Sequence, residues 1–313
     1  MIFSAVKNQR HCTLMGATLL LMLGAALPHT AAQAQTAPAT AAPRLDRDSI
    51  VKTAAIANTT AIKPGQKFLV GVTYTMQPDW HIYWKNPGDS GKPTSIRFTL
   101  PEGITAGDVQ YPAPIRFMSE GDLMSFGYEK EVTLFAEMTA GDKLPESGSV
   151  DITINTDWLM CSDRCIPNRK ELKLTLPIGE GKPANQIAFA RYQAQVPSSG
   201  KLPEGVSAKV STEGNVSTFT VTINPADGQK LLAGGHGSGT YFYPALGKEH
   251  VVEAPTVEGK KSSDGKTYEG PVTVTWTAEG TGPDTPPLKK LQGTLTIQTA
   301  SGKPVLVDID QAL

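Results

Sequence analysis

The sequence predicts an all-β protein made of two β-sandwich domains in tandem. Hydrophobic residues make up 39% of the chain, which is enough for a buried core. They alternate with polar residues in short runs, as in strands with one buried face. With 30 Gly and 24 Pro among 313 residues, turns should be frequent and long helices few. Short strands separated by such turns are typical of a sandwich.

The first 34 residues have the layout of a cleaved secretory signal peptide. Lys7 and Arg10 precede an apolar run over residues 14–27, and Ala32-Gln33-Ala34 is a small-x-small cleavage site. The run is short and interrupted by glycine and proline, which favours cleavage over an uncleaved anchor. The positive start and the alanine-rich end are typical of bacterial export, so we expect the protein in the periplasm.

The rest of the chain divides into four predicted regions. Residues 35–47 are a Pro/Ala-rich linker, 48–180 the first sandwich, 181–202 a short helical connection and 203–313 the second sandwich. No apolar stretch long enough to span a membrane follows residue 34. The formal net charge of −1 argues against nucleic-acid binding as the main role.

Period-two alternation marks the candidate strands. The clearest run places Phe68, Val70, Val72, Tyr74 and Met76 on one face. Similar runs lie at 132–136, 150–154, 172–176, 216–223, 241–243, 272–276, 295–297 and 305–309. The connection is predicted to be helical from the spacing of Ile187, Ala188, Tyr192 and Val196.

Two cysteines form the candidate site. Cys12 leaves with the signal peptide, and Cys161 and Cys165 remain in a compartment where disulfides persist. One predicted strand ends at about Trp158 and the next begins near Lys170. The pair therefore lies on a connection between adjacent strands, where chain reversal can bring two Cβ atoms within disulfide distance.

Three roles are open for this pair. An exchange-active disulfide is favoured, because closing so short a loop contributes only about 2 kcal/mol and a domain of this size has its own core. A structural bridge in a non-catalytic binding module is the second role. The third is a copper-tolerance function with a Cu(I) site, in which Met118, Met124 or Met160 adds a thioether ligand. Which cysteine reacts first is left open, because Asp163 and Arg164 oppose each other.

An aromatic segment at residues 80–94 is the second conspicuous feature. Trp80, Tyr83 and Trp84 are predicted to pack in the core before an Asn-Pro-Gly-Asp turn. The alternative is a surface beside the cysteines that docks a partner protein.

Three segments resemble a known family. They are WHIYWKNPGDSGKPT at 80–94, FGYEKEVTL at 126–134 and DWLMCSDRCIP at 157–167. Together they resemble the periplasmic N-terminal region of the thiol:disulfide interchange protein DsbD, and more closely its ScsB-type relatives, over roughly residues 45–313. The resemblance implies immunoglobulin-like sandwiches and a protein-disulfide reductase-like redox relay in which Cys161 and Cys165 are the catalytic redox pair.

The resemblance also implies partners and a shield. Electrons would come from a membrane thiol reductase supplied by another chain, and would pass to periplasmic thioredoxin-like proteins or disulfide isomerases. We expect no dissociable cofactor, because the cysteines carry both electrons. In the family a loop shields the cysteines, and the candidate here is the segment from Phe117 to Tyr128, with Phe126 and Tyr128 as the shielding side chains.

Overall fold

The computed structural model describes residues 46–119, 123–145, 147–233, 239–245, 250–253, 256–282, 284–286, 288, 290–300 and 302–312. These residues belong to one compact unit. The predicted signal peptide and almost all of the predicted linker lie outside the described residues. Within the described ranges, no helix has the length and apolar character needed to cross a membrane.

The first part of the chain folds into two facing antiparallel sheets. Its elements are α1 Arg47–Ile50, β1 Val51–Ala57, β2 Lys67–Met76, β3 His81–Gly88, β4 Ser95–Thr99, β5 Ile104–Ala106, β6 Ile115–Ser119, β7 Leu123–Glu129, β8 Glu131–Ala140, β9 Ser149–Cys161, β10 Cys165–Pro177 and α2 Gln186–Gln193. One sheet has the order β1-β2-β8-β5. The other has the order β10-β9-β3-β7-β6, and β4 also pairs with β9.

Alternating side chains from both sheets fill the core of this first sandwich. The predicted face of β2, from Phe68 to Met76, is buried as the alternation indicates. From the other sheet, Trp158 and Met160 of β9 are also fully buried. The rings of Tyr74 and Trp158 meet edge to face with centroids 5.7 Å apart, so they join the two sheets. The predicted sandwich is confirmed and is consistent with the immunoglobulin-like class.

A second sandwich follows. Its strands are β11 Ser198–Gly200, β12 Val206–Glu213, β13 Val216–Ile223, β14 Leu231–Leu232, β15 Tyr241–Pro244, β16 His250–Val252, β17 Thr256–Lys261, β18 Thr267–Gly280, β19 Lys290–Ile297 and β20 Val305–Ala312. One sheet has the order β11-β20-β19-β15, in which β11 and β20 are parallel. The other has the order β12-β13-β18-β14, with β16 and β17 also paired to β18.

Stacked aromatic rings form the centre of the second core. The Trp276 ring stacks on Phe219 and on Phe242, with centroid separations of 4.1 Å and 5.5 Å. All three side chains are buried. The second sandwich therefore has its own hydrophobic cluster and does not depend on a disulfide for its packing.

The connection contains the predicted helix, but its buried face differs from the prediction. Phe189 and Tyr192 of α2 are buried, whereas Ile187 is 87% exposed. The Phe189 ring packs against Phe135 of β8 at 5.8 Å. In so short a helix, the position of the neighbouring sheet decides which side chains are covered. The division of the chain at residues 181–202 stays a prediction.

Tyr243 makes stability sensitive to alkaline pH. Burial raises the pKa of its phenol to about 12, although the Arg116 guanidinium opposes the shift. A raised pKa means that the folded state favours the neutral phenol, so its contribution is complete below pH about 10 and is lost as pH rises towards about 12. The free energy of unfolding should fall between pH 8 and pH 11 in the parent protein and fall less in Tyr243→Phe. We expect the two decreases to differ by roughly 2 kcal/mol at most. Denaturant unfolding at both pH values measures this, and an equal loss in both proteins would contradict it.

Candidate functional site

The cysteine pair closes a long β-hairpin. Strands β9 and β10 pair along their whole length, and the register places Cys161 directly opposite Cys165. The two form a disulfide with an S–S distance of 2.00 Å and a Cα–Cα distance of 4.2 Å. In the turn, Ser162 N donates to Arg164 O at 3.1 Å. The chain reversal that the sequence predicts therefore brings the sulfurs together.

The strands continue further towards the turn than the sequence predicts. They reach the cysteines themselves, so the pair belongs to the ladder and not to a loose connection. Pro167 lies within β10, whereas the sequence predicts that it belongs to the connection before the strand. It is tolerated because β10 is the edge strand of its sheet.

The two sulfur-bearing residues differ in exposure. Cys161 is only 1% exposed, whereas Cys165 is exposed to solvent. Because Met160 points into the sandwich core, the next residue on the strand, Cys161, points to the outer face of its sheet. Because Cys161 is nevertheless buried, other side chains on that outer face must shield it from solvent.

Three aromatic side chains from β3 and β6 form one cluster beside Cys161, and we call them the aromatic cover: His81, Tyr83 and Phe117. His81 is the ladder partner of Cys161. Tyr83 Oη donates to Cys161 Sγ at 3.2 Å. The His81 ring stacks on Phe117 with centroids 4.4 Å apart and meets the Tyr83 ring edge to face at 5.2 Å. The aromatic cover therefore reaches Cys161 through a direct hydrogen bond and leaves Cys165 open.

Tyr83 is suited to stabilise a thiolate at Cys161. Burial raises the pKa of its phenol, and a hydrogen bond with Ser90 opposes the shift without cancelling it. The hydroxyl therefore keeps its proton at neutral pH and remains a donor. A donor to a sulfur anion favours the charged form and lowers the pKa of the thiol.

The turn after β3 is built around the Tyr83 ring. Gly91 lies so close that a Cβ there would stand 2.2 Å from a ring carbon, and its φ of 109° is itself unfavourable for other residues. The neighbouring Ser90 hydroxyl lies 3.0 Å from that of Ser125 on β7. The sequence predicts that Tyr83 is buried, which the structure confirms, but it does not predict the contact of Tyr83 with Cys161. Its alternation with buried Ile82 and Trp84 is the signal that could have placed it on the outer face.

The structure does not bring the predicted shielding residues to the cysteines. The Phe126 ring contacts Tyr241 and Tyr243, with centroids 6.5 Å and 5.1 Å away. Tyr128 Oη donates to Pro112 O at 2.7 Å. On β7, Ser125 and Gly127 lie on the same face of the sheet as Tyr83. Phe126 and Tyr128 alternate with them along the strand, so their side chains lie on the opposite face, away from Cys161. Shielding by Phe126 and Tyr128 stays a prediction, and from the same segment it is Phe117 that joins the aromatic cover.

The three methionines suggested as Cu(I) ligands are on the wrong face. Met160 is buried in the core, and Met124 Sδ accepts a hydrogen bond from Tyr241 Oη at 2.9 Å. Met118 is the ladder partner of Met124 and shares its face. Within the described residues, no three His, Cys, Asp or Glu side chains form a group that could hold a metal ion. None of these three methionines, in the part of the chain that the structure describes, is placed as a thioether partner for the cysteines.

Comparison with protein families decides the class of the first sandwich. Residues 47–177 match the family described as thiol:disulfide interchange protein DsbD, N-terminal. This region is a DsbD N-terminal-like domain. The match spans β1 to β10 and so includes the disulfide and the aromatic cover. Its family supports thiol–disulfide exchange as the chemistry of the DsbD N-terminal-like domain.

Similarity to a solved structure extends beyond the DsbD N-terminal-like domain. The N-terminal periplasmic domain of ScsB from Proteus mirabilis matches with a TM-score of 0.59 and 17% identity, covering 86% of this chain and 96% of that one. This match shows a shared fold over both sandwiches. A protein of unknown function from Porphyromonas gingivalis W83 matches at 10% identity over 84% of this chain and 99% of its own, but its TM-score of 0.24 supports no conclusion. No curated protein is significantly similar to the sequence.

Proposed function

We propose that the chain is a periplasmic thiol–disulfide exchange protein that passes electrons to partner proteins through Cys161 and Cys165. The unequal exposure of the two sulfurs supports this proposal most directly. Cys165 is open to a partner, whereas Cys161 is buried and hydrogen-bonded by Tyr83. Exchange needs one sulfur that is attacked and one that leaves as a stabilised thiolate. A purely structural bridge needs neither.

Loading with electrons begins at the exposed sulfur. A thiolate of the donor protein attacks Cys165 Sγ, the Cys161–Cys165 bond breaks, and Cys161 leaves as a thiolate that accepts the Tyr83 hydrogen bond. The second thiol of the donor loses its proton and attacks the donor's own sulfur in the mixed disulfide. The donor leaves oxidised, and the protein retains two electrons and takes up two protons as a dithiol.

Delivery reverses these steps with another protein. The Cys165 thiolate attacks the disulfide of an oxidised partner and forms a mixed disulfide. Cys161 then attacks Cys165 Sγ as a thiolate, which restores the intramolecular disulfide and releases the partner with both electrons. The covered position of Cys161 suits this resolving role, because it excludes competing thiols while leaving Cys165 within reach.

The proposed partners follow from the family. The donor is a membrane thiol reductase on another chain, acting through a thioredoxin-like domain, and the acceptors are periplasmic thioredoxin-like proteins or disulfide isomerases. A periplasmic location agrees with the signal-peptide pattern of residues 1–34 and with the origin of the ScsB domain of similar fold. The cysteines themselves carry the electrons, so the relay needs no dissociable cofactor.

Single cysteine variants test the proposal. Cys161→Ala leaves the exposed Cys165 without its resolving partner, so we expect it to accumulate mixed disulfides with periplasmic proteins. Cys165→Ala leaves only a covered thiol and should accumulate few. Non-reducing gels of cells expressing each variant measure the adducts, with the double Cys→Ala variant as the control. Equal trapping by both single variants, or none by either, would contradict the proposed roles.

A further inference from the structure

Two tyrosines of the second sandwich are part of the core of the first. Tyr241 and Tyr243 of β15 are 3% and 2% exposed, and both belong to the hydrophobic cluster of the DsbD N-terminal-like domain. Phe242, which lies between them, belongs instead to the cluster of the second sandwich. Strand alternation explains this division, because neighbouring side chains on β15 point in opposite directions. The edge strand β15 therefore packs one of its faces against the core of the first sandwich.

These tyrosines contact β6, which carries Phe117 of the aromatic cover, and its neighbour β7. The Arg116 guanidinium of β6 lies 4.5 Å from the centre of the Tyr241 ring, and the Tyr241 hydroxyl donates to Met124 of β7 at 2.9 Å. The Tyr243 ring packs edge to face against Phe126 of β7 at 5.1 Å. Strands β6 and β7 are thus held by rings from the second sandwich.

The paired strands β6 and β7 form a plate whose side chains make contacts on both faces. Arg116 and Phe126 are ladder partners and face the tyrosines of β15. Phe117 and Ser125 are the next ladder partners and face the other way, where Phe117 stacks on His81. Any movement of the plate away from β15 would therefore move Phe117 relative to His81.

The second sandwich also contacts β3, which carries the other two members of the aromatic cover. The Tyr243 ring packs edge to face against Trp84 at 6.1 Å. The Asn86 side-chain amide donates to Pro244 O. The Lys85 ammonium lies 2.9 Å from a carboxylate oxygen of Asp308 on β20. Both strands that supply the aromatic cover are thus fastened to the second sandwich.

We infer that the second sandwich is a brace for the aromatic cover, and that Tyr241 and Tyr243 are positioning residues that control access to Cys161. The inference rests on the proposed function, in which Cys161 is the sulfur kept from outside thiols. The tyrosines act through β3, β6 and β7 and touch neither cysteine. Loosening the brace should expose Cys161 without altering Cys165.

Alkylation of Cys161 by iodoacetamide tests the brace. All variants carry Cys165→Ala, and mass spectrometry of the peptide containing Cys161 measures the rate. In the double variant that carries both Tyr241→Leu and Tyr243→Leu, we expect the alkylation rate of Cys161 to rise about tenfold. This corresponds to weakening the covered state by about 1.4 kcal/mol. The double variant that carries both Tyr241→Phe and Tyr243→Phe keeps the rings. Its alkylation rate should stay within about twofold of that of the Cys165→Ala parent.

Phe242→Leu is the matched control, because it removes a buried ring from the same strand but from the opposite face. Its rate should stay within about twofold of the parent. Equal acceleration by Phe242→Leu, or no acceleration in the folded double Leu variant, would overturn the inference. If the double variant does not fold, the alkylation rate of Tyr241→Leu alone is compared with those of Phe242→Leu and the parent in the same way. The assay uses no partner protein, so failure of the brace and failure of the relay give separate results.

Discussion

Tyr83→Phe is expected to slow reduction of the Cys161–Cys165 disulfide by a thioredoxin-type donor by about tenfold or more, since a hydrogen bond to a charged group contributes about 1.5–3 kcal/mol. The variant keeps the ring that covers Cys161 and removes the hydroxyl that donates to its sulfur at 3.2 Å. Without that donor, Cys161 is a poorer leaving group. Stopped-flow measurement of disulfide reduction under pseudo-first-order conditions gives the rate.

A change in the thiol pKa separates this role of Tyr83 from loss of packing. In reduced Tyr83→Phe the pKa of the Cys161 thiol should be higher than in the parent, as measured by thiolate absorbance across a pH series. Tyr128→Phe is the control, because it removes a buried hydroxyl that donates to Pro112 O on the other face. A lower rate with an unchanged thiol pKa would assign Tyr83 a packing role only.

Gly127→Ala is expected to destabilise the first sandwich by about 3 kcal/mol, the upper range for overpacking a well-filled interior. A Cβ at this position would lie 2.0 Å from the carbonyl oxygen of Ile82, and a backbone atom cannot turn aside as a flexible side chain can. Gly127 is also the ladder partner of Tyr83. The substitution should therefore separate β3 from β7 and displace the Tyr83 hydroxyl from Cys161.

Denaturant unfolding and the rate of disulfide reduction together measure the effect of Gly127→Ala. Gly107→Ala is the matched control, because the nearest atom to its added Cβ would be Glu137 O at an ordinary 3.5 Å. We expect that control to change the free energy of unfolding by less than about 0.5 kcal/mol. A stability equal to that of Gly107→Ala would show that the β3–β7 pairing can adjust to a side chain.

Much of the fold could be predicted because alternation reports burial directly. Every second residue of β2 from Phe68 to Met76 is buried, as its pattern indicates. Prediction failed where a neighbour outside the local segment decides burial. Ile187 satisfies the helical spacing yet is exposed, because α2 turns Phe189 towards β8 instead.

The candidate site divides in the same way. The spacing of Cys161 and Cys165 predicts that chain reversal can bring them within disulfide distance, because strand pairing is local there. The role suggested for Phe126 depends on which face of β7 it occupies, and its sequence neighbours are apolar or small on both faces. The structure places it against Tyr243, far along the chain, and places Phe117 in the aromatic cover.

The order of residues is sufficient to predict the sandwich class, the closeness of Cys161 and Cys165, and the family of residues 47–177. The order of residues does not predict the difference in exposure between the two sulfurs. Tyr83 of β3 contacts Cys161, Phe117 of β6 packs on the neighbouring His81, and Cys165 is left exposed. The bracing tyrosines of β15 are further still along the chain. Contacts between such distant segments depend on how sheets pack, and no local pattern of apolar and polar residues encodes them.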